Sequence, residues 1–140
     1  MKSIHVLLIE DNEGDIVLTK EAFEESDFLY QIDVETDGEG AINYLEKIEK
    51  QEDYPDIVLL DINLPKKNGH EVLQHIKSSE KLRKIPVIIL TTSSSERDIA
   101  EAYSHCANSY ITKPLNITDF MATINKVEDF WFNTVQLPKK

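Results

Sequence analysis

Short apolar runs alternate with longer amphipathic stretches along the chain. Five of these runs are rich in aliphatic and β-branched side chains and predict strands at residues 4–9, 31–36, 57–60, 87–90 and 109–112. Three of them are almost continuously apolar, which is typical of strands that are buried on both faces of a parallel sheet. Periodicity alone leaves a buried helical segment open as an alternative at these places.

The stretches between the runs carry apolar side chains at intervals of three and four residues, which predicts five amphipathic helices. The first two span about residues 14–25 and 39–50, and the third follows Gly69. Ser95 and Asn116 are the predicted N-caps of the last two helices. The apolar positions of these two helices are Ile99, Ala102, Tyr103 and Cys106, and then Ile117, Phe120, Met121, Ile124, Val127 and Trp131.

The order of these elements predicts the architecture. Strand and helix alternate five times, which favours an α/β fold in which five helices flank a doubly wound, five-stranded parallel sheet. The chain has 140 residues, the length of about one domain. We expect this domain to span residues 1–130 and a short aromatic and apolar tail, residues 131–140, to follow it without an effector domain.

The composition excludes some functions. Lys and Arg number 15 against 26 Asp and Glu, and the net charge of -11 argues against general binding to nucleic acid or to an anionic membrane. The longest apolar run near the N-terminus, residues 6–9, is too short for a signal peptide or a membrane span, so we expect a cytoplasmic protein.

Cys106 is the only cysteine, and we expect it to be a small buried residue on the fourth helix. The histidines show no metal-binding spacing and are expected to be structural or surface residues; they are His5, His70, His75 and His105.

Polar residues stand where the predicted strands end. Glu10 and Asp11 follow the first strand, Asp61 follows the third, Thr91 follows the fourth, and Lys113 follows the fifth. Because the carboxyl ends of parallel strands lie along one edge of a sheet, we expect these side chains to meet in one crevice. Three carboxylates at close range repel one another unless a cation intervenes, and oxygen ligands suit Mg²⁺.

This combination of groups indicates phosphoryl chemistry. Mg²⁺ and Lys113 would neutralise a phosphoryl group while an aspartate serves as its covalent acceptor. The chain contains neither a GxxxxGKS or GxxxxGKT loop nor a GxGxxG motif, so the phosphate is not expected to belong to a bound nucleotide.

The resemblance to a known family rests on four segments: VLLIEDNEGD (6–15), PDIVLLDINLPKKNGHEVL (55–73), PVIILTT (86–92) and SYITKP (109–114). Together they resemble the receiver domains of response regulators over nearly the whole chain. The resemblance implies a flavodoxin-like sheet with the strand order 2-1-3-4-5. It also implies two-component signalling, in which Asp61 accepts a phosphoryl group from the phosphohistidine of a sensor kinase.

The resemblance further implies a metal site. Asp11 corresponds to the direct Mg²⁺ ligand, and Glu10 beside it would reach the metal through water. Asp61 would be both a second ligand and the nucleophile. Asn63 would contribute its backbone carbonyl, so its side chain is not what the metal needs.

The same resemblance implies a switch. Thr91 corresponds to the hydroxyl that hydrogen-bonds the phosphoryl group, and Lys113 to the lysine that pairs with it. Tyr110 corresponds to the aromatic residue whose ring turns inward when the threonine is drawn toward the phosphate. The bond between Lys113 and Pro114 is expected to be a cis peptide, as is common in this family.

The sequence departs from the family pattern at three places. Many relatives have a second aspartate where this chain has Glu10, although glutamate remains an adequate acid there. Many have a small residue at the position of Thr92, where a bulkier side chain would restrict access to the phosphoryl group. Residues 105–107 replace a turn that commonly contains glycine, so the approach to the fifth strand is expected to differ.

Two other functions are compatible with parts of the sequence. A pseudo-receiver would be a pure interaction module that is never phosphorylated, but the intact set of site residues counts against it. A hydrolase that resembles haloacid dehalogenases would also form an aspartyl phosphate, but residues 61–63 lack the second acid of the DxD arrangement. The leading interpretation is not a conventional enzyme, because the domain would catalyse only its own phosphorylation and slow dephosphorylation.

The tail carries a third set of features. Phe130, Trp131 and Phe132 are consecutive, so one helical stripe cannot bury all three and at least one should be exposed. We expect this surface to form a homodimer, with a tail folded back on its own domain as the alternative. The ending also resembles small receivers that work with bacterial and cyanobacterial phytochrome histidine kinases.

Overall fold

Five strands form one parallel sheet in the order β2-β1-β3-β4-β5. The computed structural model describes residues 3–139. Its sheet confirms the predicted α/β fold and the expected strand order. β1, β3 and β4 are the interior strands of the sheet, and β2 and β5 are its edges. The strands are β1 Ser3–Ile9, β2 Leu29–Glu35, β3 Ile57–Leu60, β4 Val87–Thr91 and β5 Ser109–Thr112.

Five α-helices connect and follow the strands. They are α1 Glu13–Glu24, α2 Gly38–Glu46, α3 Gly69–Ser78, α4 Glu96–Ser104 and α5 Ile117–Glu128. Side chains cap each helix at its N-terminus, including the predicted caps Ser95 and Asn116. Asn68 caps α3 and forms a reciprocal capping box with Glu71.

The second helix ends earlier than its apolar pattern predicts. α2 stops at Glu46, whereas the pattern reaches residue 50. The backbone N–H of Ile48 bonds to the carbonyl of Leu45, the tighter connection that is common where a helix ends. A short 3₁₀ turn, Gln51–Asp53, then leads toward β3.

The core lies in two layers, one on each face of the sheet. Alternate residues of β1 serve opposite layers: Val6 and Leu8 face α1 and α5, while Leu7 and Ile9 face α2 and α3. All four residues of β3 are buried, as expected for a strand that is covered on both faces.

The turn before β5 differs from the prediction. Cys106 is exposed and lies beyond the end of α4, so the prediction that it is buried on that helix is wrong. Its φ is +69°, in the left-handed region that favours glycine. The apolar spacing gave a wrong prediction here because α4 ends at Ser104, two residues before Cys106.

The peptide bond between Lys113 and Pro114 is trans, since residues 3–139 contain no cis peptide. The expected cis geometry is therefore wrong for this chain. Trans is the isomer that X-Pro bonds favour by about 0.5–1 kcal/mol when the surroundings do not impose the other.

The end of α5 continues into a π-helical turn, Asp129–Thr134. Trp131, Phe132 and Leu137 pack against the core layer beside α1 and α5. Phe130 is 49% exposed, which confirms that one of the three consecutive aromatic side chains stays outside the core. The tail thus folds back on its own domain and still presents one aromatic ring.

Within residues 3–139, no helix combines the length and the apolar character needed to cross a membrane.

Candidate functional site

The register of the sheet aligns the strand ends that carry the candidate residues. Ile9 of β1 pairs with Leu60 of β3, so Glu10 and Asp61 leave the sheet side by side. The backbone N–H of Asp61 donates to the carbonyl of Ile9 at 3.0 Å, and that of Lys113 donates to the carbonyl of Thr91 at 2.7 Å. Backbone hydrogen bonds between neighbouring strands therefore fix the positions of the main chain at Asp61 and Lys113.

Lys113 lies at the centre of the site with its ammonium buried. Its Nζ donates to carboxylates from three different elements: Glu10 after β1, Asp15 in the first turn of α1 at 2.8 Å, and Asp61 after β3 at 3.2 Å. Burial alone would lower the pKa of Lys113, but the hydrogen bonds to Asp15 and Glu10 and the charge of Asp61 outweigh it and raise that pKa. Lys113 is therefore a fixed positive charge.

Glu10 is only 3% exposed and is held at both oxygens. One oxygen contacts Lys113, and the other accepts hydrogen bonds from the backbone N–H groups of Asp11 and Asn12 at 3.1 and 3.2 Å. Burial is the main cause that raises the pKa of Glu10 to about 7, and Asp61 adds to it while Lys113 opposes it. The proton occupancy of this carboxylate thus changes near neutral pH.

Three carboxylates form a compact oxygen cluster. One ligand oxygen from each of Glu10, Asp11 and Asp61 lies within 4.8 Å of the others, with Asp11 exposed at the mouth and the other two buried. Lys113 supplies one positive charge against these three acids. An all-oxygen donor set with an excess of negative charge fits a hard divalent cation such as Mg²⁺.

Asn63 takes part through its backbone. Its N–H donates to Asp61 Oδ1 at 3.2 Å, while its side chain is exposed. This hydrogen bond orients the Asp61 carboxylate, whose other oxygen contacts Lys113.

The predicted switch residues lie on β4 and β5. Thr91 is fully buried, and its Oγ1 accepts a hydrogen bond from the N–H of Ser93 at 3.4 Å. The hydroxyl of the half-buried Tyr110 donates to the carbonyl of the same Ser93 at 2.9 Å. Thr91 and Tyr110 thus contact one residue of the loop between β4 and α4. Thr92 points away from the core and is exposed.

Gly69 permits the close approach of α3 to the acidic site. A Cβ at this position would lie 2.3 Å from the carbonyl oxygen of Asp61 and 2.6 Å from Cα of Ile62. The N–H of Gly69 also donates to the carbonyl of Ile62 at 2.8 Å. Glycine is required here because backbone atoms occupy the space that a side chain would take.

Asp15 is a member of the charged cluster that the sequence reasoning missed. It lies four residues after Asp11, in the first turn of α1, and its position follows from the cap that Asn12 forms with the Asp15 N–H at 2.9 Å. The sequence did indicate where Asp15 lies, because an N-cap residue such as Asn12 followed three residues later by an acid is typical of the start of a helix.

Comparison with known proteins shows the family to which this chain is similar. The model of the response regulator receiver domain matches residues 6–125. The probable methanogenesis regulatory protein FilR2 of Methanothrix harundinacea is 43% identical over 134 residues, which cover 95% of this chain and 86% of that protein.

Two solved structures are also similar to this chain. The phosphorylated cyanobacterial phytochrome response regulator RcpA superposes with a TM-score of 0.93 at 39% identity, covering 99% of this chain and 100% of that one. The Mn²⁺-bound form of response regulator Rcp1, a protein of a Synechocystis strain, has a TM-score of 0.90 at 38% identity, with coverage of 97% and 99%.

Proposed function

The chain belongs to the response regulator receiver domain family, and we propose that its Asp61 is the residue that receives the phosphoryl group from a sensor kinase phosphohistidine. The observation that carries this proposal is the meeting of Asp61 with Glu10, Asp11 and the buried ammonium of Lys113 at one edge of the sheet. Two-component signalling is the function of this family.

In the proposed transfer, an oxygen of Asp61 forms the new P–O bond as the P–N bond to the donor imidazole breaks. The electron pair of the P–N bond returns to the imidazole nitrogen. Lys113 already lies 3.2 Å from Asp61 Oδ2, so it would contact the incoming phosphoryl oxygens with little movement. The N–H of Asn63 holds the other carboxylate oxygen.

Glu10, Asp11 and Asp61, with the backbone carbonyl of Asn63, would hold a Mg²⁺ ion. When bound, the ion supplies positive charge that offsets the negative charge of the transferring group. Glu10 is tied at both oxygens to Lys113 and to backbone N–H groups, which supports a contact through water rather than direct ligation.

The output would pass through Thr91 and Tyr110. A phosphoryl group that accepts a hydrogen bond from the Thr91 hydroxyl would draw it away from Ser93, the residue to which Tyr110 is also bonded. The loop between β4 and α4 would then change its position, and with it the surface that a partner protein reads. The alternative is a pseudo-receiver that binds its partner without phosphorylation.

Intact-mass measurement after incubation with acetyl phosphate and Mg²⁺ distinguishes these functions. We expect the wild-type chain to gain one phosphoryl group, Asp61→Asn to gain none, and the exposed control Asp53→Asn to behave as wild type. A chelator should abolish the gain. A wild-type chain that stays unmodified would favour the pseudo-receiver, and equal labelling in chelator would contradict the metal assignment.

We further propose that the donor is a phytochrome-type histidine kinase and that the protein acts in the cytoplasm. The similarity to the phytochrome response regulator RcpA supports the first point, and a single cysteine agrees with a reducing compartment. FilR2, at higher identity, is named for methanogenesis, so a kinase outside the phytochromes is the competing donor. Comparing transfer rates from autophosphorylated kinases of both kinds decides between them.

We also propose a homodimer that uses the aromatic tail. Phe130 supports this proposal because it stays exposed in the π-helical turn after α5 and packs edge-on against Trp131, with 5.4 Å between the ring centroids. Trp131 itself packs on the core, so Trp131→Ala would combine weaker association with lower stability.

Phe130→Ser is therefore the sharper test of the dimer. We expect it to weaken self-association in sedimentation velocity while the thermal midpoint stays near that of wild type. The matched control is Val17→Ser, which removes an exposed apolar side chain from α1. Wild-type sedimentation as a monomer in both phosphorylation states would remove the dimer proposal.

A further inference from the structure

His70 is a buried histidine outside the acidic site. It is the second residue of α3 and is 8% exposed, and it faces two acids on α4, Asp98 and Glu101. These acids are three residues apart, so both lie on the face of α4 that contacts α3. One ligand atom from each of the three residues lies within 4.8 Å of the others.

The two ring nitrogens of His70 have different surroundings. Nε2 lies 3.1 Å from Asp98 Oδ1, and because a carboxylate only accepts, Nε2 carries the proton and donates. The hydroxyl of Ser93 and the His70 ring both lower the pKa of Asp98, so this acceptor is ionised. In this tautomer, Nδ1 is the ring nitrogen with an unshared electron pair that can bind a metal ion.

Nδ1 has no hydrogen-bond partner among residues 3–139, although it is inaccessible to solvent. The nearest charged atom is Glu101 Oε2, at 3.7 Å. Nδ1 is thus a buried acceptor that faces a carboxylate oxygen, and a cation between the two atoms would stabilise this arrangement.

The dimensions suit a transition-metal ion. Zn–N and Zn–O bonds of about 2.0–2.2 Å place two ligands of one tetrahedral ion roughly 3.4 Å apart, within a few tenths of an ångström of the observed separation. The bond from Nε2–H to Asp98 is the carboxylate–imidazole arrangement that commonly orients a ligating histidine. The Glu101 side chain is 41% exposed, so its carboxylate is in contact with solvent.

We propose that His70 Nδ1 and Glu101 bind a divalent transition-metal ion of the Zn²⁺ class, with Asp98 orienting the imidazole, and that this ion joins α3 to α4. An imidazole ligand selects such metals over Mg²⁺, which prefers oxygen. The site is therefore chemically distinct from the acidic cluster at Asp61.

The proposed metal site is connected by hydrogen bonds to the predicted switch residue Tyr110. Asp98 Oδ2 accepts a hydrogen bond from Ser93 Oγ at 2.6 Å, and the carbonyl of Ser93 accepts from the hydroxyl of Tyr110 at 2.9 Å. An ion on His70 would thus lie next to a hydrogen-bonded chain that ends at a predicted switch residue.

Titration calorimetry with Zn²⁺, in excess Mg²⁺ to fill the acidic cluster, tests the proposal on the full chain. We expect one Zn²⁺ per chain, loss of this binding in His70→Gln, and about tenfold or greater weakening in Glu101→Gln. His75→Gln is the matched control, because His75 lies on the same helix and contacts Glu46 Oε1 at 2.6 Å on the surface. Loss of binding in His75→Gln with His70→Gln unaffected would overturn the proposal.

Nitrogen-15 NMR of the histidine rings supplies an independent measurement on the wild-type chain. Zn²⁺, but not Mg²⁺, should shift the His70 Nδ1 resonance. A resonance that responds to pH but not to Zn²⁺ would mean that a proton is the cation at this position, and the metal site would be rejected.

Discussion

Mg²⁺ affinity should rise with pH through Glu10. The perturbation is a change from pH 6 to pH 8 in the metal-free protein. Burial raises the pKa of Glu10 to about 7, so Glu10 carries a proton at pH 6 and is ionised at pH 8. A cation that binds best when the site is fully ionised must displace this proton at the lower pH, so affinity increases as pH rises and levels off above the pKa.

The magnitude follows from the proton occupancy. With a pKa of about 7, Glu10 is protonated in roughly ten of eleven molecules at pH 6 and in about one of eleven at pH 8. The apparent Kd for Mg²⁺ should therefore be about tenfold weaker at pH 6, which corresponds to about 1.4 kcal/mol. The complex should release close to one proton per Mg²⁺ at pH 6.

Calorimetric titrations in two buffers of different ionisation enthalpy measure both quantities. Glu10→Gln is the matched variant, since the amide keeps the size and an acceptor oxygen for the Asp11 and Asn12 N–H groups but cannot titrate. We expect its Mg²⁺ affinity to vary less than about twofold over the same range. A wild-type Kd that is equal at pH 6 and pH 8, or a Glu10→Gln variant that keeps the tenfold change, would refute the reasoning.

Two further predictions concern stability, and urea unfolding measures both. Gly69→Ala should destabilise the fold by about 2 kcal/mol or more, because the new Cβ would lie 2.3 Å from the carbonyl oxygen of Asp61. The control is Gly14→Ala, whose Cβ would lie 3.3 Å from one side-chain oxygen and which should be neutral or stabilising by up to about 1 kcal/mol. Equal effects of the two substitutions would contradict the proposed clash. Cys106→Gly should stabilise by about 1 kcal/mol because φ is +69° at this position, and Cys106→Ser, which keeps a Cβ, should show no such gain.

The strand ends could be predicted because two simple signals coincide there. The apolar run of β3 stops at Leu60, and the next residue is the buried acid Asp61. A polar residue placed directly after a fully buried strand is not explained by burial of apolar surface, so it points to a site. Parallel strands then require that Glu10 and Lys113 emerge at the same edge.

The interactions that escaped prediction depend on contacts between whole elements. The bond between His70 and Asp98 exists because α3 and α4 pack side by side, and no local pattern in either helix specifies which residues face each other. The prediction for Cys106 was wrong for a related reason. The apolar spacing continues past Ser104, but the chain must turn there to bring β5 beside β4, and that requirement overrides the spacing.

The balance of charges at the acidic site supports the proposed metal ion. Four carboxylates surround the edge of the sheet, from Glu10, Asp11, Asp15 and Asp61, and Lys113 is the one ammonium that they contact in the described structure. A phosphoryl group would add further negative charge to a place that already carries more acids than bases, and the ammonium already donates to three of them. Lys113 alone does not balance these charges, which supports the proposal that a divalent ion joins the site before Asp61 is phosphorylated. No short metal-binding motif in the sequence marks this proposed site, because the sheet, rather than local spacing, brings the acids together.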